Sequence, residues 1–395
     1  MSSRVAMALG AVNGAAPMRS DTTSKTQIAP SISPERIADS IRAAWQNCQD
    51  AINSDDKAAI RRLHVHAKNC DRSTNYSELR GYLKRHQSYF PSGAKISPHL
   101  VDPIIVPVRP QSLEEKLFKV MRGYWSMPYS KGYGRRLRFV VMDAYHQAII
   151  GIIGLQSPSA DLACRDDFLG VTKSSKLSVV NNTLDAYTIG ASPTYAPLLG
   201  GKLVAGMLHA PAIRQEYWRS YGKSRTEQEG KRIPQPLLAI TTTSAFGRSS
   251  VYNRLRFRDQ VLAKPLGYTK GFGTLHLEEI YPEIAEWLKS EELFTPAGFG
   301  NGPKVRWQNV ARALKSLGLS RKYLEHGIRR EVFIFELASN LRTVCREGTL
   351  PEFTEFDPHD WGEYWKERWC VPRISRQPHW YEFHPFGDLE MALRV

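Results

Sequence analysis

The sequence predicts an α/β protein of the α+β kind, with a mixed-sheet core flanked by helical regions on both sides. Three observations predict it. Between residues 126 and 278 the apolar pattern runs in strand-length stretches, as in "GRRLRFVVMD" (134–143) and "AIIGIIGLQS" (148–157). Before and after that segment, apolar residues recur at helical spacing. Within it, glycine-rich junctions join strand patterns to helical ones.

Residues 1–32 are rich in Ser, Ala, Thr and Gly and read as a mobile tail. A helical region is expected over 33–125. Ser33 suits an N-cap and Pro34 the first helical position, and Ile37, Ile41, Trp45, Cys48 and Ile52 form one stripe. Further helical patterns cover 56–69 and 76–87, and Ser112 with Glu115 makes a capping box before "LEEKLFKVMRGYW". The α/β core is expected over 126–278. After the first two strands come "LDAYTIGAS" (184–192) and a long helix from "APLLGGKLVAGMLHAPAIRQEYWRSYG". Then come a strand in "PLLAITTTS" (236–244), a helix in "SSVYNRLRF" and a strand in "GYTKGFGTLHL". The stretch 279–395 reads as helical again.

No apolar run reaches the ~18–20 residues of a membrane span, and the N-terminus lacks the order of a secretory signal. A cytoplasmic protein is expected. Its five cysteines (Cys48, Cys70, Cys164, Cys345 and Cys370) are odd in number and never spaced C-x-x-C, which argues against a disulfide framework or a zinc ribbon. With 54 Lys and Arg against 39 Asp and Glu the net charge is +15, so a polyanion, DNA above all, is the expected partner.

Four constellations carry candidate chemistry. The strand end Thr241–Ser244 places hydroxyls on both faces, and Ser249 or Ser250 can cap the helix expected after it. "PLLGGKLVAG" brings paired glycines and Lys202 to a helix start, where backbone amides suit an anion. "SKGYGRRLRF" (130–139), "KGFG" (270–273) and "EHGIRREVF" (325–333) mix cations with aromatics and glycines. They make Lys131, Arg135, Arg136, Arg138, Lys270, Arg329 and Arg330 the DNA-binding candidates. "HVH" (64–66) matches the histidine pair of strand-nicking enzymes that use a metal and a tyrosine. Its helical context splays the two rings, so no metal site is expected. Asp166 and Asp167 form a carboxylate pair without a partner motif.

Taken in order, "SKGYGRRLRFVV", "IIGIIGLQSP", "NNTLDAYTIGASPTYAPLLGGKLVAGML", "ITTTSAFGRSSVYNRLRF", "GYTKGFGTLHL" and "GLSRKYLEHGIRREVFIFELASN" resemble the DruA family of Druantia anti-phage proteins, from about residue 60 to 375. The resemblance implies a bacterial defence component, or a mobile-element relative of one, that works beside partners such as a helicase. A looser similarity, in strand order and in the glycine-rich helix start, is to GNAT-type acyltransferases and Mom-type DNA-modifying proteins. It implies that Gly200, Gly201 and Lys202 would cradle the pyrophosphate of acyl-CoA, although Pro197 and Lys202 depart from that family's pattern.

The resulting expectation is a DNA-binding defence protein whose α/β core modifies or processes DNA in a cleft. Asp185 is the candidate base or orienting carboxylate, Ser249 and Tyr252 are candidate proton donors and Arg248 is a phosphate or transition-state contact; Thr243 and Ser244 line the cleft. Two other classes stay open: a non-catalytic recognition subunit that recruits a helicase or nuclease, and a metal-dependent strand-nicking or strand-joining enzyme.

Overall fold

The computed structural model describes residues 33–394 apart from 55, 71–73, 129–131, 226–229, 231–235, 246 and 297–304. The stretch 1–32 and the candidate Lys131 lie outside the described residues. In chain order the helices are α1 (Pro34–Asn53), α2 (Lys57–Asn69), α3 (Tyr76–Arg85), α4 (Leu113–Tyr124), α5 (Ala163–Leu169), α6 (Lys176–Asn181) and α7 (Gly200–Gly206). They continue with α8 (Pro211–Tyr221), α9 (Tyr281–Ser290), α10 (Val305–Ser316), α11 (Leu341–Glu347), α12 (Pro358–Trp365), α13 (Val371–Arg376) and α14 (Pro385–Ala392). The strands are β1 (Pro103–Pro107), β2 (Leu137–Asp143), β3 (Ala148–Gln156), β4 (Thr183–Ala191), β5 (Ala239–Thr243), β6 (Arg256–Phe257), β7 (Gln260–Val261), β8 (Lys264–Tyr268) and β9 (Glu331–Glu336).

Seven strands make one mixed sheet in the order β1-β2-β3-β4-β5-β9-β8, and β6 and β7 form a small hairpin. Every neighbouring pair in the large sheet is antiparallel except β4 and β5, which are parallel. The mixed α/β class read from the sequence therefore holds. Its strand β3 carries a near-continuous apolar run because both faces are covered: every residue before Gln156 is buried.

One face packs on α7 and α12, through Leu203, Val204, Trp361 and Trp365. The other divides in two. Leu79, Leu83, Phe118 and Met121 of α3 and α4 cover β2 and β3, while Leu169, Val179 and Leu341 of α5, α6 and α11 cover β5 and β9. Separately, Ile37 and Ile41 of α1 pack with Ile284, Leu288, Val310 and Leu314 of α9 and α10.

These contacts redraw the expected regions. The sheet takes β1 from the stretch read as helical over 33–125 and β9 from the one read as helical over 279–395, so boundaries at 125 and 278 do not separate it. β1 is framed by Pro103 and Pro107, which an edge strand tolerates because a missing N–H there breaks no ladder. "EVFIFE" is a short apolar run that spacing alone cannot distinguish from a helix turn; between β5 and β8 it is a buried strand. "SSVYNRLRF" is a turn running into a hairpin, not a helix, with Arg254 at φ +60. The long helix expected after Ala196 breaks before Pro211, whose ring cannot continue it.

Where α1 and α2 meet the segments 272–278 and 321–330, three histidines cluster, two of them beside the Arg330 guanidinium. Arg330 Nη2 meets His64 Nε2 at 3.0 Å, His64 Nδ1 donates to Ile60 O at 2.8 Å, and His326 Nδ1 accepts from Ile328 N at 3.0 Å. The His276 and His326 rings are 6.4 Å apart. Burial first, and Arg330 beside His64 and His326, holds His64 and His276 down to about 4 and His326 to about 3. These groups stay neutral in the fold but protonate near 6.5 when unfolded. Their contribution is complete above pH 6.5 and drains as pH falls toward 4, where the unfolded chain binds more protons. The urea midpoint is expected to fall steeply across that window. A midpoint that is flat between pH 7 and 4.5 refutes the arrangement.

Candidate functional site: a fork between two parallel strands

The β4–β5 ladder runs only from Thr183/Ala239 to Ala186/Thr242. Beyond it β4 continues to Ala191 on β3, while Thr243 pairs with Val332 of β9, so the two parallel strands part into a fork. The β3–β4 register slips at the same level: Gly154 pairs with Thr188 and Leu155 with Ala186, leaving Tyr187 as the extra residue of a bulge. Bulges re-aim side chains and concentrate near active sites. The Tyr187 ring lies between two glycines, since a Cβ on Gly154 would come 2.6 Å from its Cζ and one on Gly132 2.9 Å from its Cε1. Gly132 also sits at φ +72, a conformation side chains resist.

Asp185 lies in the ladder just before the fork. Thr241 Oγ1 donates to its Oδ1 at 3.0 Å, and Gln156 Nε2 donates to its Oδ2 at 3.3 Å. Although the residue keeps some accessible surface, its carboxyl is enclosed. Burial pushes its pKa up to about 6, and the two donors and the nearby Arg165 charge only partly offset this. Arg165 itself is committed elsewhere, to Asp166 and to the carbonyls of Ser159 and Ala160. That gives Asp166 of the acidic pair a structural role. Tyr133 keeps 44% of its surface exposed, but its phenol is partly enclosed and lies within reach of the Asp185 charge; that burial and then the charge push it up to about 12. Thr241 stood in the hydroxyl row without an assigned role, and Gln156 and Tyr133 are the site residues that the sequence reading missed. The alternation Thr241/Thr243 against Asp185 was the signal for the first; the other two depend on strand register.

The remaining candidates divide. Tyr252 was expected beside Asp185, but the sheet separates them: Asp185 pairs with Thr241 on one face, and Tyr252 lies with Thr242 on the other. There Tyr252 is 7% exposed and packs its ring against Phe333, tilted at 5.1 Å, and edge-on against Phe335 at 6.1 Å. Burial pushes its hydroxyl up to about 12. Ser249 Oγ accepts from Val251 N at 3.2 Å and Tyr252 N at 3.4 Å, which makes it the cap of a single turn. Ser244 Oγ accepts from Glu331 N at 2.9 Å and donates to Gly247 O, tying the end of β5 to β9. Thr243 is half-buried and Arg248 is exposed, both at the open end of the fork.

The glycine-rich helix start does not fit a pyrophosphate. The amides of Leu198 and Gly200 donate to Tyr195 O, that of Leu199 to Ala196 O and that of Lys202 to Leu199 O. A Cβ on Gly200 would lie 2.7 Å from Tyr195 O. Trp365 Nε1 donates to Leu199 O at 3.2 Å and Arg373 Nε to Pro197 O at 3.2 Å, so the C-terminal helices cover the turn. Gly201 packs against Val251, and Lys202 Nζ holds the carbonyls of Val251 and Asn253 at 3.0 and 3.1 Å. The acyl-CoA expectation is corrected accordingly. The two histidines of "HVH" diverge as helix geometry requires, His64 to Arg330 and His66 to Glu279 at 2.9 Å. Among the described residues no group of three or more His, Cys, Asp or Glu is arranged to hold a metal ion.

The basic candidates also split. Arg136, Lys270 and Arg329 are exposed; Arg138 is half-buried with its guanidinium 5.6 Å from the Phe118 ring. Arg330 faces the histidines. Arg135 is corrected from a phosphate contact to a structural group: its guanidinium donates to the carbonyls of Val180, Asn181 and Thr183 and to the Tyr217 hydroxyl. Arg135→Ala is therefore expected to cost stability, about 2–3 kcal/mol for charged hydrogen bonds to buried acceptors. At temperatures where the variant is folded it should leave DNA affinity unchanged. Unchanged unfolding with weakened binding reverses the assignment.

The family model described as Druantia protein DruA matches residues 54–347 of this sequence. A curated Druantia protein DruA from Escherichia coli (strain UMEA 4076-1) is 36% identical over 295 residues, 73% of this chain and 73% of that protein. No solved structure matches. The match encloses β1 to β9, the fork and Asp185, and the chain belongs to the Druantia protein DruA family.

Proposed function

We propose that the chain is the DNA-facing component of a cytoplasmic anti-phage defence system and that it processes DNA at the fork, with Asp185 as general base. One observation carries the reading: an enclosed carboxyl, hydrogen-bonded at both oxygens, sits where two parallel strands part, with its pKa raised to about 6. A base poised near neutral pH is what proton removal from a hydroxyl or water requires. The strand order, its single parallel pair and the bulge at Tyr187 support an acyltransferase-like plan for the core. The covered helix start argues against acyl-CoA as the donor. The net charge of +15 and the outward Arg136, Arg248, Lys270 and Arg329 support DNA as the partner. Family membership supports the defence setting and the presence of further subunits; a helicase as one of them is part of this proposal.

The second reading is a recruiting subunit without chemistry of its own. It is favoured by the structural roles of Ser249 and Tyr252, which leave Asp185 without the proton donors expected beside it. The testing experiment is DNA binding by the full chain across salt concentrations. Affinity should fall steeply, on the order of 10³-fold or more between ~50 and ~200 mM salt if six or more phosphates are contacted. No binding to single- or double-stranded DNA at the lower concentration refutes the proposal.

A further inference from the structure

The β8–β9 pair does not stop at the edge of the sheet. Beyond Tyr268/Glu331 it continues as an irregular ribbon. Thr269 N donates to Arg330 O at 2.9 Å, Gly327 N to Gly271 O at 3.0 Å and Gly273 N to Leu324 O at 2.9 Å, and Phe272 bridges Glu325. Glycine is required for the two strands to approach so closely. Gly271 lies at φ +76, and a Cβ there would come 2.8 Å from the Gly327 carbonyl carbon. The ribbon leaves the sheet at the end where the fork opens, because β9 starts where β5 finishes: Thr243 pairs with Val332, and Ser244 N donates to Glu331 O at 2.8 Å.

This ribbon carries two large aromatic side chains that the core does not take up: Phe272 is 49% exposed and Tyr268 40%. Cations surround them. Lys270 lies between them in sequence, and the Arg329 guanidinium stands 5.3 Å from the Tyr268 ring centroid. Lys322 lies over Trp45 and Tyr323, at 5.7 and 5.2 Å, beside the ribbon's base. Trp45 is fixed there by its Nε1 bond to Glu325 O at 2.9 Å. Rings held on a hydrogen-bonded ribbon lose little further freedom on binding. Alternating cations and exposed π-faces match a polyanion whose bases are unstacked. A duplex offers the phosphates but hides its base faces.

We infer that the ribbon Tyr268–Phe272/Glu325–Arg329 is a docking site for single-stranded DNA. Bases stack on Phe272 and Tyr268, Lys270, Arg329 and Lys322 hold phosphates, and the strand is led toward the fork. The inference rests on the reading of the chain as a DNA-binding protein and names the form of DNA it takes.

The experiment compares fluorescence anisotropy of a labelled ~20-nucleotide oligothymidine and a hairpin duplex with the full chain and its variants. The wild type should hold the single strand at least tenfold tighter. Phe272→Ala should weaken single-strand binding roughly tenfold, within the range of one lost base–aromatic stack, and leave the salt slope and duplex binding unchanged. Phe272→Leu keeps an apolar side chain without the π-face and should fall as far; Phe272→Trp should bind as well as the parent. Lys270→Gln should weaken both forms of DNA and lower the salt slope by about one. Melting midpoints confirm folding, which a half-exposed ring does not control. Equal affinity for duplex, or a Phe272→Leu variant that binds like the parent, overturns the inference and leaves DNA binding standing. Absence of all DNA binding overturns the underlying reading as well.

Discussion

Asp185→Asn is expected to abolish function while leaving the protein as stable as the parent or more so at pH 7.5. The enclosed carboxyl has a pKa of about 6, raised by burial above its ordinary 3.8. A carboxyl whose folded pKa is raised contributes its full stability below the unfolded value and loses it as pH rises through the folded one. Above pH 6 the fold therefore holds a charge it disfavours, at about 1.4 kcal/mol per pKa unit. The amide has the same shape without that charge. Gln156 can turn its own amide to meet the new NH2, and Thr241 still has an oxygen to donate to. The stability advantage of the variant, up to ~2–3 kcal/mol, should open between pH 4 and 6 and then stay constant. Function should fall by the ~10²–10⁴-fold of a lost general base. In the parent, any DNA reaction should rise through about pH 6. The measurements are unfolding midpoints from pH 4 to 8 and phage plating on a host carrying the chain with its partner components. Full protection by a folded Asp185→Asn protein removes catalysis from the fork and favours the recruiting role.

Such a site was only half legible in the sequence. Asp185 and the hydroxyl row of β5 stand out locally, because a buried-looking strand should not carry them without purpose. Their relative placement is a matter of register, and register is not written in either strand alone. Whether Thr241 or Thr242 faces Asp185 depends on one residue of slip, since successive side chains alternate. The helices were legible where caps mark them: Ser33 accepts from Arg36 N and Ser112 from Glu115 N, as their patterns predict. Short apolar runs were not. "EVFIFE" and "PIIVP" become strands because β5 and β2 offer them partners distant in sequence, and no local period encodes that. Arg135 was misleading for a related reason. A cation in a basic run is indistinguishable from its exposed neighbours until α6 presents its terminal carbonyls.

Gly206→Ala is the second large effect, and it concerns how the C-terminal helices close on the core. Gly206 has ordinary helical torsions, φ −65 and ψ −31, so its backbone does not need glycine. Alanine would gain about 1 kcal/mol of helix propensity in an open helix. Here its Cβ would lie 2.2 Å from Cε2 and Cζ2 of Trp361. That ring cannot retreat: it is fully buried, its Nε1 donates to Leu203 O at 2.9 Å, and Phe257, Tyr364 and Trp369 surround it. Overpacking of this kind costs ~1–3 kcal/mol or more, enough to outweigh the propensity gain. Trp361→Ala alone should cost ~3–5 kcal/mol through its cavity. In that background the added methyl meets empty space, so Gly206→Ala should change sign and stabilise by up to about 1 kcal/mol. Urea unfolding of the four proteins measures the coupling. If the two substitutions add, α12 does not seat on α7 through this pair. If they couple with the sign reversed, the glycine is there to admit the tryptophan, which leaves α12 covering the turn that an acyltransferase would hold open for its cofactor.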